Sequence, residues 1–566
     1  MALFLSVAET LSTDRETTSI KVLFGDMKTK EQKRKGQFYT PTLFVDYAHK
    51  MISEQFGEDW KEKFVVWDNC SGEKALTRDY YFKELYCSTL EKAELEISER
   101  YNKEAVAFQF DFLNDSLEKL PEGLKEALEN NKPIIFFINP PYATAANRNE
   151  TSKEGVAKTI IYEEMTKNKV GGASQNLYAQ FLYRIVMIKE QYNLTNCHIC
   201  LFSPTNFLGG GNWKGFRNVF LNNFAFNNAV QFKASHFADV ADKWGISFSI
   251  WNNGMNTNNN DFNYKLIDNI DGEIEIVGEK VVYNIDGQIS AGEWVRKELK
   301  ERSKDEKISV PHLSSGIIKS ATDNQKVYKD FLGCLAIMGN NVNQNAQGVT
   351  IGSTIMAQGN SHTSLSILPI NFTKCTALFS ARRLVDGNWV NWADEYLAPN
   401  EEHPAYKEFV NDSIIYSLFE SKSNQSSLRQ VEYKGKKWDI KNEFFFMSKN
   451  EILDLANEYG FDFTFNDANV SNERYVYTLL QNIELSNEAK VVLDKAIELT
   501  KKSFRYRELF NDEHPEYQIM NFDCGWYQIK AMLKEYMPQE YKEFTELYKK
   551  LADKMRPMVY ELKFLK

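Results

Sequence analysis

Between residues 64 and 251 short apolar runs recur, separated by stretches in which apolar and polar positions alternate at helical spacing. The runs are FVVW (64–67), ELYCSTL (84–90), VAFQF (106–110), PIIFFI (133–138), CHICLFS (197–203), AVQFKA (229–234) and GISFSIW (245–251). Unbroken runs rich in β-branched and aromatic residues spell strands covered on both faces. One intervening helix opens at Thr40-Pro41, a capping residue followed by proline in the first turn, and carries Leu43, Tyr47 and Met51 on one stripe. Another places Leu177, Phe181, Ile185 and Ile188 at the spacing of a core-packing face. Strand and helix in alternation predict a doubly wound, mostly parallel α/β sheet, with ligands outside the carboxyl ends of its strands. The last two runs are joined by SHFADVADKW, too short for a crossover helix, so they are expected to pair antiparallel.

The pattern then changes. Seven of the twelve residues in NNGMNTNNNDFN (252–263) are Asn, which marks a linker and a boundary near 255. Beyond it, NIDGEIEIVGEKVVYNIDG sets Asp-Gly turns between β-branched runs and opens a small β-rich unit. From about 470 the segments VVLDKAIELTKK and WYQIKAMLKEYM read as helices. The expected divisions are an N-terminal extension (1–35), an α/β domain (36–255), an α+β region (256–469) and a helical region (470–566).

A chain of 566 residues exceeds what one hydrophobic core usually organises, and 39 Phe, 28 Tyr and 10 Trp supply ample apolar material for two or more. No apolar run approaches the roughly 18 residues that cross a bilayer, and MALFLSVAETLSTDRETTS lacks a basic stretch followed by a long apolar one, so a cytoplasmic protein without membrane contact is expected. Seven cysteines scattered from Cys70 to Cys524 do not make a disulfide framework. Cys197 and Cys200 have the spacing of half a zinc site, but no second pair lies at the matching distance and their stretch reads as a strand, so no metal is expected. A net charge of −10 argues against indiscriminate coating of nucleic acid and leaves open a specific basic cleft.

The most informative residues are Asn139-Pro140-Pro141-Tyr142, directly after the strand PIIFFI and therefore at the ligand-binding edge of the sheet. The Asn side-chain oxygen and the carbonyl of the following Pro can both accept from one amino group, and the prolines hold these acceptors in a fixed turn. Tyr142 offers a flat face for a planar ring. Here the chain resembles the N6-adenine DNA methyltransferases of the gamma motif order, over roughly residues 36–251. The resemblance implies a seven-stranded Rossmann-like sheet, S-adenosylmethionine as cofactor, and transfer of a methyl group to the amine of an adenine flipped out of double-stranded DNA. It makes Asn139, Pro140, Pro141 and Tyr142 the catalytic turn.

Upstream, GQFYTP (36–41) looks like the family's first motif, in which Tyr39 and Thr40 help hold the cofactor carboxylate. Asp68 and Gly72 look like its cofactor loop, Asp68 pairing with the ammonium; Glu91 stands where an acid grips the ribose; Asp111-Phe112 resembles the motif that takes the adenine amine and packs on its ring. The chain departs from the family at Gly72-Glu73-Lys74, where Gly-x-Gly is usual, so Lys74 either points away, weakens cofactor binding, or marks an inactive site. For DNA contact, Lys33, Arg34 and Lys35 belong either to a phosphate-binding arm or to a solvated terminus. In the second half Arg382, Arg383 and the segment from Trp389 to Trp392 supply groups that read phosphates and base edges, which makes that half a target-recognition region. The resemblance leaves room for a separate restriction or specificity subunit. Two other readings stand beside it: a methyltransferase acting on RNA or protein glutamine, and a non-catalytic DNA-binding protein on a degenerate methyltransferase fold.

Overall fold

The computed structural model describes residues 40–98, 101–142, 159–237, 243–303, 307–313, 321–338, 345, 348–353, 364–425, 427–433, 435–461, 473–514 and 524–566. They form two compact units, one running to Asp286 and including Gly387–Asp394, the other made of Gly287–Asp386 and Glu395–Lys566. Lys33, Arg34, Lys35, Tyr39 and the segment 143–158 lie outside the described residues.

The first unit is a mixed α/β layer structure around one large sheet. Its strands are β1 (Val65–Asp68), β2 (Leu85–Thr89), β3 (Val106–Gln109), β4 (Ile134–Ile138), β5 (Cys197–Ser203), β6 (Phe224–Lys233), β7 (Gly245–Asn253), β8 (Asp261–Ile270) and β9 (Glu273–Tyr283), in the spatial order β3-β2-β1-β4-β5-β7-β6-β8-β9. β1 to β5 run parallel, and β7 is inserted antiparallel between β5 and β6, as the short connection requires. The order reverses between β1 and β4, so the carboxyl ends of these two neighbours flank the switch point at which such sheets bind ligands. Alternate side chains feed two cores. Trp67, Phe136 and Ile138 enter one face, and Val66, Ile135 and Phe137 the other.

Three expectations are corrected here. Among the described residues the sheet has nine strands, not seven, because the hairpin β8–β9 continues it: β8 pairs parallel with β6 at Val230↔Lys265 and Gln231↔Leu266. The Asn-rich stretch is therefore a loop within the first unit, and the boundary lies at Asp286 rather than near 255. Its asparagines are used locally, as when Asn256 Oδ1 accepts from the backbone N–H of Phe226 at 2.8 Å. Helix α1 (Thr42–Phe56) has Pro41, not Thr40, at its N-cap, which frees the Thr40 hydroxyl for another partner.

In the second unit β12 (Gly333–Met338) lies between β13 (Gly348–Gly352) and β14 (Ser364–Ile367), with the short β15 (Ser423–Asn424) beside β13; β10–β11 (Lys307–Leu313 and Ala321–Tyr328) and β16–β17 (Leu428–Tyr433 and Lys436–Ile440) are separate antiparallel pairs. Helices α2 (Phe372–Leu384), α3 (Tyr406–Phe419), α4 (Asn487–Ser503), α5 (Trp526–Tyr536) and α6 (Pro538–Glu561) share one core with that sheet, Leu335, Phe379, Phe409, Leu499, Trp526 and Met555 among its members. The division expected near 470 is thus absent from the packing: sheet and helices bury a common apolar interior. Among the described residues no helix is long and apolar enough to cross a membrane.

Candidate active site

A cavity of about 190 Å³ opens at the carboxyl ends of β1 to β4. It is lined by Thr40, Asp68, Asn69, Cys70, Ser71, Gly72, Thr89, Glu94, Asp111, Phe112, Asn114, Asn139, Pro141, Thr159, Leu177 and Phe181 among others. The strand ends and the helices beside them bring together residues far apart in sequence, from Thr40 to Phe181.

Asp68 ends β1 and is 1% exposed. Its Oδ1 meets the backbone N–H of Cys70 at 3.4 Å, while Oδ2 is buried without a partner among the described residues. Burial pushes the carboxyl up to about 8, against a lesser opposing pull from the Cys70 N–H. Beside it the Asn69 side chain is also buried, with neither amide atom partnered among the described residues. Two unmatched polar groups on the wall of one cavity fit a cationic, hydrogen-bonding ligand, since buried polar groups are otherwise satisfied.

The loop after β1 makes two left-handed residues, Gly72 (φ 50°) and Lys74 (φ 62°). Left-handed backbone at a non-glycine residue is costly, yet the Lys74 side chain turns away from the cavity: its Nζ donates to the carbonyls of Tyr101 at 3.0 Å and Asn102 at 3.3 Å. After β2 the acid that lines the cavity is Glu94, whose Oε2 accepts from the Thr89 hydroxyl at 2.6 Å. Glu91 is not part of the lining; its carbonyl accepts from Glu94 N at 3.0 Å and Leu95 N at 3.2 Å, so it forms the turn that carries Glu94 inward.

At the end of β3 Asp111 folds into a turn, Oδ1 accepting from the N–H of Leu113 at 3.0 Å and Asn114 at 3.2 Å, Oδ2 from the Asn114 side-chain amide at 2.8 Å. The ring of Phe112 lies nearly parallel to that of Phe181, centroids 5.2 Å apart at 17°. Phe181, read from its spacing as core, is both core and cavity wall. Asn114 also accepts from the N–H of Ile160 at 3.0 Å, which fixes Thr159 at the rim.

Asn139 connects the cavity to the turn after β4. Its Nδ2 donates to the Thr40 hydroxyl at 2.8 Å, so the first motif and the turn, 99 residues apart, are joined by one bond. Its Oδ1 accepts from the Tyr142 hydroxyl at 2.6 Å. Tyr142 itself is not part of the lining; its ring packs against the cores of both faces and meets Tyr178 and Trp244 edge-on.

The two arginines expected to touch DNA sit in the second unit and require correction. Arg382 is 5% exposed, and its guanidinium lies 5.1 Å from the ring of Tyr396, a cation over an aromatic face inside the core. Arg383 is partly exposed but paired with Glu420 at 3.0 Å. The segment from Trp389 to Trp392 belongs to the first unit.

No protein-family model matches the chain, and no curated protein matches it. Among solved structures it is similar to a type I restriction-modification methyltransferase subunit from Streptococcus thermophilus (15% identity, 42% of this chain and 50% of that one, TM-score 0.30). It is also similar to the ATP-dependent Type ISP restriction-modification enzyme LlaBIII bound to DNA (12% identity, 67% and 39%, TM-score 0.36) and to the DrdV–DNA complex (16% identity, 43% and 28%, TM-score 0.30). The chain spans half or less of the length of each of these three structures.

Proposed function

We propose that the chain is a site-specific DNA methyltransferase that moves a methyl group from S-adenosylmethionine to the exocyclic N6 amine of a flipped adenine, as part of a restriction-modification, phage or orphan modification system. The observation that supports it best is the union in one cavity of Asp68, Glu94 and Asp111, from the ends of three successive strands, with Asn139 of the Asn-Pro-Pro-Tyr turn. S-adenosylmethionine, when bound, supplies an electrophilic methyl group on a sulfonium.

The residues divide the work. Asp68 and Asn69 hold the amino-acid end, where an ammonium meets the unmatched carboxylate oxygen. Glu94 takes the ribose place expected of Glu91, and Phe112 with Phe181 walls the adenine. On the substrate side Asn139 Oδ1 and the Pro140 carbonyl orient the target amine. The Tyr142 hydroxyl donates to Oδ1 and so helps fix the direction in which that oxygen points. The Thr40 bond stops the Asn139 amide from rotating, so its oxygen stays aimed at the turn. The second unit is the part of the chain that reads the surrounding base pairs. Lys74 faces the Tyr101 and Asn102 carbonyls rather than the cavity, which supports the catalytic reading over the non-catalytic one despite the departure from Gly-x-Gly.

The test is expression in a host without adenine methylation, followed by long-read mapping of modified bases. N6-methyladenine at one recurrent sequence is the expected outcome, and its absence from DNA of cells holding the soluble protein overturns the reading.

A further inference from the structure

Gly387–Asp394 belongs to the first unit although the chain on both sides of it belongs to the second. This strap is fastened firmly. Buried Gln231 donates from Nε2 to the carbonyls of Trp389 at 2.6 Å and Val390 at 3.2 Å. Gly245 permits that approach, because a Cβ there would stand 2.6 Å from the Trp389 carbonyl oxygen. Asp394 pairs with Lys280 at 2.7 Å, both side chains less than a tenth exposed. Within the strap Asn388 closes a turn, its carbonyl accepting from Trp392 N at 2.9 Å and its N–H donating to Asn391 Oδ1 at 2.8 Å.

The strap presents Trp392 to Trp244, ring centroids 6.1 Å apart at 74°, and Trp244 meets Tyr142 in a T-shaped contact at 6.3 Å and 89°. From elsewhere on the unit Tyr142 meets Tyr178 in a second edge contact, at 6.4 Å and 88°. Edge-to-face contacts fix a ring plane without a bond to it. Both brackets have support of their own. Tyr178 is buried and stacks on Trp213 at 5.2 Å and 29°. Trp244 is half-buried, packs against the core on the other face of the sheet and carries the ring of Trp392.

We propose that Trp392 is a positioning residue for the catalytic turn: it holds Trp244 against Tyr142, and so sets the plane of the ring that the target base meets. This rests on the methyltransferase reading above. The anchors at Gln231, Gly245 and Lys280 fix where the strap runs and therefore where Trp392 stands.

The experiment measures incorporation of labelled methyl groups into genomic DNA from a strain without adenine methylation, with S-adenosylmethionine affinity followed by calorimetry. In the full chain Trp392→Ala lowers kcat at least tenfold, while cofactor affinity and the KM for DNA stay within twofold. Trp392→Phe returns most of the rate. Trp244→Ala and the Trp244→Ala/Trp392→Ala double variant are equally slow, because the second change acts only through the first. If Trp392→Ala does not fold, Trp392→Leu replaces it and is expected to be slow where Trp392→Phe is fast. A parent without transfer overturns the methyltransferase reading and this proposal with it. An active parent with Trp392→Ala or Trp392→Leu at the parental rate, or losses that multiply in the double variant, overturns the positioning role alone.

Discussion

Asp68 and Arg382 are both ionisable, both almost wholly buried and both at the end of a regular element, the one closing β1 in the first unit, the other in the last turn of α2 in the second. Burial acts on each in the same sense, toward the neutral form, raising the Asp68 carboxyl to about 8 and lowering the Arg382 guanidinium to about 10. What differs is the company. Arg382 has the face of Tyr396 against its charge and the negative end of its own helix nearby. Asp68 has a carboxylate oxygen with no partner among the described residues, facing a cavity. A buried charge set against an aromatic face and a helix end belongs to the architecture, and one whose unpartnered oxygen faces a cavity marks the place of a ligand.

The strongest way to sharpen this contrast is to remove the other end of the same cavity. Asn139→Ala should lower methyl transfer about 100- to 1,000-fold, the scale for losing one fixed polar contact to the reacting group, while S-adenosylmethionine affinity by calorimetry stays within a few-fold. An equal loss of affinity would merge the two ends into one cofactor site. Arg382→Ala comes next and should act on folding. Emptying a core position and uncovering Tyr396 should cost about 2–4 kcal/mol in denaturant unfolding, with DNA affinity of the folded fraction unchanged. Weaker DNA binding at unaltered stability would make Arg382 a ligand contact and dissolve the contrast.

The third test uses pH. In the ligand-free protein Asp68 is protonated below about 8. An ammonium-bearing ligand needs the carboxylate, so binding expels a proton, and affinity should rise up to about tenfold per unit as pH climbs toward 8. Above that the ligand's own amine, near 7.7–8.0 in free form, begins to lose its charge, which gives a maximum near neutral to mildly basic pH. Asp68→Asn should bind more weakly and lose the acid limb of that profile. For the empty protein the sign is opposite. A carboxyl with a raised folded value favours the folded state most below its unfolded value of 3.8, and that contribution is lost as pH rises through about 8. Asp68→Asn should therefore unfold at a higher temperature than the parent at pH 8, and an unchanged pair of profiles would show that Asp68 is not the group that titrates.

Much of the first unit was legible because its strands are covered on both faces, and such strands write continuous apolar runs. The positions of β1 to β5 follow from those runs to within a residue or two, and so does the siting of Asp68, Asp111 and Asn139 at the ends of β1, β3 and β4. The hairpin β8–β9 was visible as strands but not as part of the same sheet, because β8 pairs with β6 across the Asn-rich loop and no local pattern encodes that partner. Glu94 was hidden behind Glu91 because two acids one helical turn apart look alike in sequence, and only the path of the turn decides which faces inward. The strap is the clearest case of non-local information. Its Trp389 to Trp392 segment reads as part of the second half by position, and only Gln231, Gly245 and Lys280, all more than a hundred residues upstream, assign it to the first. Arg382 misled for the complementary reason, since an Arg-Arg pair looks exposed until Tyr396 is placed above it.

The smallest expected effect tests the loop on which the empty partner of Asp68 depends. Lys74 occupies left-handed backbone at φ 62°, a conformation that costs a non-glycine residue roughly 1–2 kcal/mol. Lys74→Gly removes that strain, but it also gives the unfolded chain more freedom, worth about 0.5–1 kcal/mol, and deletes the bonds from Nζ to the Tyr101 and Asn102 carbonyls. Those carbonyls then lose a charged donor, at about 1–3 kcal/mol if they stay buried and less if water reaches them. The terms nearly cancel, so thermal unfolding should shift by only a few degrees, downward if at all. Cofactor affinity should stay within twofold, because the side chain leads away from the cavity and the backbone around Asp68 keeps its turn through the bond from Lys74 N to Ser71 O at 2.7 Å. A tenfold gain in affinity would mean that the lysine impedes the ligand after all, and a tenfold loss would make the Tyr101–Asn102 anchorage, rather than the strand end, the element that holds Asp68 ready.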